Sequence, residues 1–231
     1  MARRIRLALV IILVTALSAC TTVGLHTKTR SKVEFGGPMV LQVCVLRAQG
    51  VSEQRANEIM AAVSKELALY NIEVFVPWTR PWTRAGFTAY AMFDDLGRRD
   101  LEPPCDRLLA LVDRNVADAL WGLASLPEIL GAVEEVTHTH GMVVAVAVTE
   151  AQLDTTPEEA AVHEFYHMLG CPHALTLTKC YELIAKLKRH AAPEMDFVPG
   201  ITQTGEFLYT REKVNEALRK AVAEDSPTAS K

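Results

Sequence analysis

Two histidines four residues apart, with a glutamate between them and a third histidine farther on, are the residues of this chain best suited to chemistry. His163, Glu164 and His167 begin the segment HEFYHMLGCPH, which ends at His173. On an α-helix, residues four apart lie roughly 40° apart around the axis and about 6 Å along it, so both imidazoles can face one metal ion. Gly170 comes where the helix should stop, and a left-handed turn there would return His173 as a third ligand.

Three neutral imidazoles with one open coordination position are typical of a catalytic zinc site, whereas a structural site is usually closed by four protein ligands. Glu164 follows the first histidine, so its carboxylate should lie beside the metal rather than on it. Zinc lowers the pKa of bound water towards ~7, and Glu164 can take the proton as the water attacks a carbonyl. The segment therefore predicts one zinc ion per chain and hydrolysis of peptide bonds without a covalent intermediate.

A helix must position these residues, and its start is visible in the sequence. Thr156, Pro157 and Glu159 together have the form of a capping box with proline at the first helical position. The helix should therefore begin at Pro157 and run through both histidines. The alternative is a metal-free helix with two partly buried, hydrogen-bonded histidines, which does not account for the glycine and third histidine at fixed offsets.

Short apolar runs predict a sheet around this helix. A strand at Val40–Leu46, a helix capped by Ser52 and a strand at Ile72–Val76 suggest a parallel βαβ unit. Thr210 can cap a final helix with apolar residues on one face. Further strands are predicted at three other apolar runs: Leu108–Val112, Ile129–Val136 and Met142–Val148.

The composition fits one folded domain. The 231 residues are 49% hydrophobic and 23% charged, and the net charge is −4. This apolar fraction excludes a disordered chain, and the low counts of 12 glycines and 11 prolines exclude collagen-like or low-complexity character. Proteins that bind nucleic acid usually carry a clear basic excess, so nucleic acid is not expected as a partner.

The first twenty residues have the pattern of an export signal. Three arginines precede an apolar run at Leu7–Leu17, which is too short for a spanning helix. The run ends in a segment, LSAC, that resembles the lipobox of bacterial lipoproteins, and this resemblance implies cleavage before Cys20 and lipid attached to it. Several acyl chains would give stable membrane anchoring. Thr21 stands where an Asp would favour inner-membrane retention, so the resemblance implies the outer membrane, facing the periplasm. A plain secretory signal is the alternative.

The segment HEFYHMLGCPH resembles the HExxHxxGxxH signature of metzincin metallopeptidases. Residue by residue, the resemblance implies zinc ligation by His163, His167 and His173 and a general base at Glu164. It also implies an α/β (α+β) fold with a twisted, mostly parallel sheet, an active-site helix and a small C-terminal helical part. In metzincins an antiparallel edge strand pairs with substrate, and Ile129–Val136 is the candidate.

These features predict a domain organisation. We expect a signal peptide at 1–19, a lipidated flexible tether at 20–38, a metzincin-like zinc peptidase domain at 39–225 and a disordered tail at 226–231.

Metzincins also place a methionine in a tight turn beneath the metal. Met195, which lies between turn-forming residues, is the candidate here. Some members carry a tyrosine two residues later that approaches the metal. Phe197 occupies that position, so an extra tyrosine ligand is not expected.

Four cysteines besides the lipidated one allow two disulfides, with three connectivities. Cys171 and Cys180 are the natural local pair, which would hold the loop that carries His173. Cys44 and Cys105 would then form the second bond. In the alternative, a cysteine thiolate binds the zinc and keeps the enzyme latent.

Two other segments have competing interpretations. Trp78–Arg84 combines aromatic and basic residues that could stack on sugars, lipid head groups or a substrate chain, or form an irregular, partly packed loop. His138 and His140 could form a second metal site, although a solvated turn is the simpler interpretation.

The sequence as a whole predicts a zinc endopeptidase that is tethered to the bacterial envelope and acts on peptides or proteins. Two alternatives stay open. One is a non-catalytic envelope lipoprotein that binds zinc for stability, and the other is a zinc hydrolase of non-peptide amide bonds in cell-wall material.

Overall fold

The computed structural model describes residues 27–86, 89–113, 130–146, 155–173, 177–191 and 195–224. The predicted signal peptide, Cys20 and the predicted tail lie outside the described residues. Part of the segment predicted as a flexible tether forms a short helix, α1 (Thr27–Arg30). In the described ranges, no helix is both long and apolar enough to cross a bilayer.

The first large unit is the predicted parallel βαβ unit. Strand β1 (Met39–Ala48) leads to helix α2 (Glu53–Leu67) and strand β2 (Ile72–Phe75), and β2 pairs with β1 in parallel. At the N-cap of α2, the Ser52 side chain accepts a hydrogen bond from the Arg55 N–H. The apolar residues of α2 are spaced three and four apart, so they lie on one side of the helix and make it amphipathic. Its buried face is apolar: Ala56, Ile59, Met60, Val63 and Leu67.

Strands β4 (Arg107–Val112) and β6 (His140–Val144) continue the parallel arrangement. Strand β5 (Gly131–Val133) lies antiparallel to β6 at the edge. With β3 (Thr79–Trp82), which also pairs with β1, six strands form the central sheet of the described chain, and the order of the other five is β2-β1-β4-β6-β5. The predicted mixed α/β class with a mostly parallel sheet is confirmed. The edge strand is shorter than predicted because a turn follows Val133.

The segment Trp78–Arg84 is not an irregular loop throughout. Its central part is β3 (Thr79–Trp82), which pairs in parallel with the second half of β1. The Trp82 side chain is buried, and the Arg80 guanidinium lies 4.1 Å from the centroid of the Trp78 ring. The loop interpretation is therefore wrong for Thr79–Trp82, which form a strand. The local composition did not predict this strand, because its partner β1 is distant in the sequence.

Apolar side chains cover both faces of the sheet. Helices α2 and α4 (Pro157–Met168) pack on one face, whereas α3 (Ala89–Gly97) and α6 (Arg211–Glu224) pack on the other. Successive residues of β1 alternate between the two cores, with Val43 on one side and Cys44 on the other. Burial on both faces explains why the parallel strands are continuous apolar runs.

A small C-terminal part follows α4. It contains helix α5 (Thr178–His190) and an antiparallel hairpin of β7 (Gly200–Ile201) and β8 (Phe207–Leu208), and it ends with α6. Thr210 accepts a hydrogen bond from the Lys213 N–H at the start of α6, which confirms the predicted cap.

Both predicted disulfides are present. Cys44 pairs with Cys105 across 61 residues, and Cys171 pairs with Cys180 across 9 residues. Of the three connectivities that the sequence allows, the structure therefore has the one with the local pair. Neither Cys171 nor Cys180 is free to act as a zinc-binding thiolate in the loop that carries His173.

Candidate metal centre

Helix α4 carries two of the three histidines, and its start is fixed as predicted. The Thr156 side chain accepts from the Glu159 N–H, and the Glu159 carboxylate accepts from the Thr156 N–H at 2.8 Å. Pro157 is the first helical residue. This capping box satisfies two N–H groups that have no partner inside the helix. Since the helix is regular from this start, His163 and His167 lie on one face.

The end of α4 turns the chain back towards these histidines. Gly170 has a φ of 87°, in the left-handed region. Its N–H donates to the His167 carbonyl, and the Cys171 N–H donates to the Tyr166 carbonyl, which together form a Schellman motif. A Cβ atom at Gly170 would lie 2.7 Å from Ile201 Cδ1, so the position also lacks space for a side chain. The predicted left-handed turn at Gly170 is confirmed.

The turn brings His173 to the other two histidines. One ring nitrogen from each of His163, His167 and His173 lies within 4.8 Å of the other two. The ring centroid of His173 is 4.1 Å from that of His167 and 5.8 Å from that of His163. Among the described residues, these three form a group that could hold a metal ion.

Hydrogen bonds orient the His167 ring for this role. Its Nδ1 donates to the Cys171 carbonyl at 2.7 Å, so the Nε2 lone pair is left for a ligand. This Nε2 faces the Nε2 of His163 at 3.0 Å. Two imidazole nitrogens that face each other at this distance, beside a third imidazole, are a donor set that suits a divalent metal such as zinc. The Nδ1 of His163 is buried and has no partner among the described residues.

The environment favours neutral imidazoles. Burial lowers the pKa of His167 to about 4, and a hydrogen bond to Cys171 only partly offsets this effect. Burial, and then the charge of His173, also lower the pKa of His163. Both rings are therefore uncharged near neutral pH, which is the form that binds metals.

Glu164 lies beside the triad and is not part of the metal-holding group. Only 7% of its surface is exposed, and burial raises the pKa of its carboxyl group to about 8. Its side chain packs against Gly131 in the edge strand. A Cβ atom at Gly131 would lie 2.5 Å from Glu164 Cγ and 2.7 Å from Oε1. The Glu164 carboxyl group therefore occupies space that is available only because residue 131 has no side chain.

A cavity of about 1030 Å³ surrounds the triad. The three histidines and Glu164 line it together with residues 130–133, which include all of β5, and residues 201–205 of the C-terminal part. In the described sheet, β5 is the terminal strand, and it pairs only with β6. The cavity therefore combines a potential metal centre, a buried carboxylate and the edge of a strand.

The structure does not bring Met195 to a described contact with the triad. Met195 is half-buried and is not among the described residues that line the cavity. Its position beneath the metal stays a prediction. Phe197 is buried against the Arg211 guanidinium, which lies 4.8 Å from the ring centroid.

The turn before β6 differs from the expected solvated turn. His140 is fully buried, and its Nε2 donates to the Arg99 carbonyl at 3.0 Å. His138 has a φ of 56° and lines the cavity. The buried carboxylate of Glu134 organises the turn by accepting hydrogen bonds from the N–H groups of Thr137 and Thr139. In the sequence, this turn is marked only by a glutamate that precedes two threonines. That pattern is too common to predict a buried carboxylate.

Sequence reasoning also missed Arg107. Its guanidinium is fully buried and donates to the carbonyl groups of Met168, Val198 and Pro199. Arg107 thus ties the last turn of α4 to the C-terminal part. An arginine at the start of an apolar strand does not by itself predict hydrogen bonds to residues 61 to 92 positions away.

No protein-family model matches the chain, and no curated protein matches it. The function therefore has to be inferred from the residues and their geometry.

Proposed function

We propose that this protein is a zinc-dependent endopeptidase of the metzincin type, with one zinc ion bound by His163, His167 and His173. The observation that carries the proposal is the convergence of three imidazole nitrogens beside the buried Glu164 carboxylate, inside an open cavity. A structural zinc site has four protein ligands and no use for an adjacent buried base. The edge strand beside the carboxylate supports a peptide as the substrate.

Different residues of the chain have different roles in the proposed hydrolysis. When bound, zinc would supply the Lewis acid that activates water and polarises the substrate carbonyl. Burial alone raises the pKa of Glu164 to about 8, but the positive charge of a bound divalent ion beside the carboxyl would favour its ionised form. In that form Glu164 accepts the proton of the attacking water and delivers it to the nitrogen of the leaving group. The edge of β5 that no described strand pairs with offers backbone hydrogen bonds to an extended peptide, which is held alongside Glu164 and Gly131. Because the nucleophile is water, no side chain forms a covalent intermediate.

The place of action is also part of the proposal. The lipobox-like segment supports lipidation at Cys20 and anchoring to the envelope, with the domain in the periplasm. Radiolabelled palmitate in the full-length protein, but not in Cys20→Ala, would support the anchor. Equal labelling of both proteins would contradict it.

The decisive test compares the protein with Glu164→Gln. The purified proteins are incubated with a diverse peptide library, with and without a chelator, and the cut sites are read by mass spectrometry. We expect chelator-sensitive cleavage by the wild type. Glu164→Gln should retain about one zinc ion per chain but lose at least about 10³-fold in kcat, because no base accepts the proton.

Each other outcome has a definite meaning. Unchanged turnover in Glu164→Gln would remove Glu164 from the mechanism. Zinc binding without cleavage of any peptide would favour a structural lipoprotein or a hydrolase of other amide bonds. Activity in metal-free protein would contradict the zinc mechanism altogether.

A further inference from the structure

The segment between the proposed lipid anchor and the first strand lies against α5. Helix α1 packs on α5, and the ring centroid of Phe35 is 6.4 Å from that of Tyr181. The Asn71 side chain donates a hydrogen bond to the Gly36 carbonyl at 3.0 Å. These contacts attach the end of the tether to one side of the domain, so the chain leaves towards Cys20 from the side that carries α5.

This side of the domain is basic. The three basic residues of α5 that are exposed are spaced seven and three positions apart, so they share one side of the helix. Two more exposed lysines lie on the adjoining segment. Together these side chains form the basic face: Lys28, Lys32, Lys179, Lys186 and Arg189. The same two segments contribute only two acidic side chains, Glu34 and Glu182.

The charges of the basic face are not neutralised within the described part of the chain. None of its five side chains forms an ion pair with another described residue. The Lys186 ammonium lies 5.1 Å from the centroid of the Phe207 ring, a contact that leaves its charge in place. Elsewhere on the surface, by contrast, Arg219 pairs with Asp100. The basic face is therefore available to an anionic partner.

The cavity has the opposite charge. The described residues that line it include no lysine or arginine. Five glutamates do line it: Glu66, Glu135, Glu158, Glu159 and Glu164. An anionic surface therefore attracts the basic face and repels the side that carries the cavity, which favours one orientation of the molecule.

The position of the proposed anchor identifies the anionic surface. Thr27, the first residue of α1, is seven residues after Cys20. A chain of this length spans at most about 25 Å when fully extended. Lipid attached to Cys20 would therefore keep the start of α1, and with it the basic face, close to the membrane.

We propose that the basic face docks on the anionic phospholipid headgroups of the membrane in which Cys20 is anchored. This contact rests on the lipid anchoring that is part of the proposed function. Each basic side chain beside an anionic leaflet strengthens binding about fivefold. Since Leu183 of α5 also lines the cavity, docking holds the cavity beside the membrane surface, where it meets peptides close to the bilayer.

Lysine footprinting of the full-length lipidated protein tests this contact. The protein is reconstituted in vesicles of phosphatidylethanolamine with either phosphatidylglycerol or phosphatidylcholine, and mass spectrometry measures the acetylation rate of each lysine. We expect the four lysines of the basic face to react at least about fivefold more slowly on the phosphatidylglycerol vesicles. Lys220 is exposed on α6, on the opposite side of the sheet from α5, and should react equally on both.

Salt provides a second readout of the same contact. In about 1 M NaCl the Debye length falls to about 3 Å, so the attraction between the basic face and the headgroups is screened. The difference between the two kinds of vesicle should then disappear.

Charge variants separate docking from anchoring. The double variant Lys179→Gln with Lys186→Gln removes two charges and should weaken docking at least about tenfold. On phosphatidylglycerol vesicles it should therefore raise the acetylation rates of the two remaining lysines of the basic face. The matched control, Lys213→Gln with Lys220→Gln, removes two exposed charges from α6 and should leave these rates unchanged. Both double variants should melt close to the wild-type temperature, because all four side chains are exposed.

Equal acetylation of the basic face on both kinds of vesicle would overturn the proposal. Protection that extends to Lys220, or that persists fully in the variant of Lys179 and Lys186, would also overturn it. A mass that shows no lipid at Cys20 would refute the anchor and the docking together. The assay requires no cleavage, so an inactive protein would count against the proposed peptidase function without changing this result.

Discussion

At the scale of single residues, the contact between Glu164 and Gly131 tightly constrains the site. These residues come from different elements, and the carboxylate occupies the space that a side chain at position 131 would need. An atom less than 3.0 Å from an added Cβ would have to move, and the atoms this close to position 131 belong to Glu164. Gly131 therefore determines the position of the Glu164 carboxyl group.

We predict that Gly131→Ala lowers kcat at least about tenfold by displacing the Glu164 carboxylate, since small misplacements of catalytic groups are costly. Zinc content should be unchanged, because the three atoms nearest to an added Cβ at position 131 all belong to Glu164 and none belongs to a ligand. Steady-state kinetics and metal analysis of the purified variant test this prediction. Gly97→Ala is the matched control, because no atom lies within 4 Å of its added Cβ. Equal kcat in both variants would refute the positioning role.

His140 provides a prediction about pH. Burial lowers the pKa of its ring below the ordinary value of 6.5. As the pH falls through this ordinary value, the unfolded chain binds a proton that the folded chain does not, so stability is lost in acid. The loss is at most about 1.4 kcal/mol per pH unit for this group.

We therefore expect His140→Gln to show a shallower loss of unfolding free energy than the wild type between about pH 7 and pH 5. The slopes are compared rather than the absolute stabilities, because the substitution also changes hydrogen bonds to Thr139 and Arg99. Urea denaturation of the metal-free proteins at several pH values measures this difference. Identical slopes would mean that His140 titrates normally in the folded state.

At the scale of elements, the turn after α4 delivers the third ligand. The disulfide between Cys171 and Cys180 joins this turn to α5, and the Cys171 carbonyl also orients His167. The second disulfide, between Cys44 and Cys105, joins β1 to the segment before β4 and contributes no group to the triad.

These two disulfides should have separable effects. Replacing Cys171 and Cys180 by alanine should weaken zinc binding about 10–100-fold, because the groups that orient the ligands become loose. Replacing Cys44 and Cys105 should cost more stability, since this bond closes the longer loop, but should leave zinc affinity nearly unchanged. Chelator competition and thermal unfolding measure the two effects. Equal zinc affinity in both double variants would contradict the proposed role of the turn.

At the scale of the whole molecule, Arg107 holds the sheet, α4 and the C-terminal part together. Its fully buried guanidinium lies beside Asp106, and burial lowers its pKa to about 10. Asp106 in turn accepts from the N–H groups of Gln42 and Val198. This buried network is one polar link between parts of the chain that are far apart in sequence.

Arg107→Met should destabilise the fold by about 3–5 kcal/mol, because the buried carbonyl groups of Met168, Val198 and Pro199 lose their donor. Arg219→Met is the matched control. Arg219 forms an exposed ion pair with Asp100, and its loss should cost less than about 1 kcal/mol. Urea unfolding of both variants measures the difference. A cost for Arg107→Met as small as that of the control would show that the network is not essential.

The sequence alone determined the features that depend on neighbours along the chain. The capping box at Thr156, the two histidines on one helical face and the left-handed turn at Gly170 follow from local geometry and short-range hydrogen bonds. The first βαβ unit was equally readable, because Ser52 and the apolar spacing of α2 are local signals. The tertiary structure decided what depends on distant residues. The burial of Glu164 against Gly131, the partners of Arg107 and the pairing of β3 all need segments that only packing brings together. Desolvation and close contact act through space, and for this reason local pattern could not reveal them.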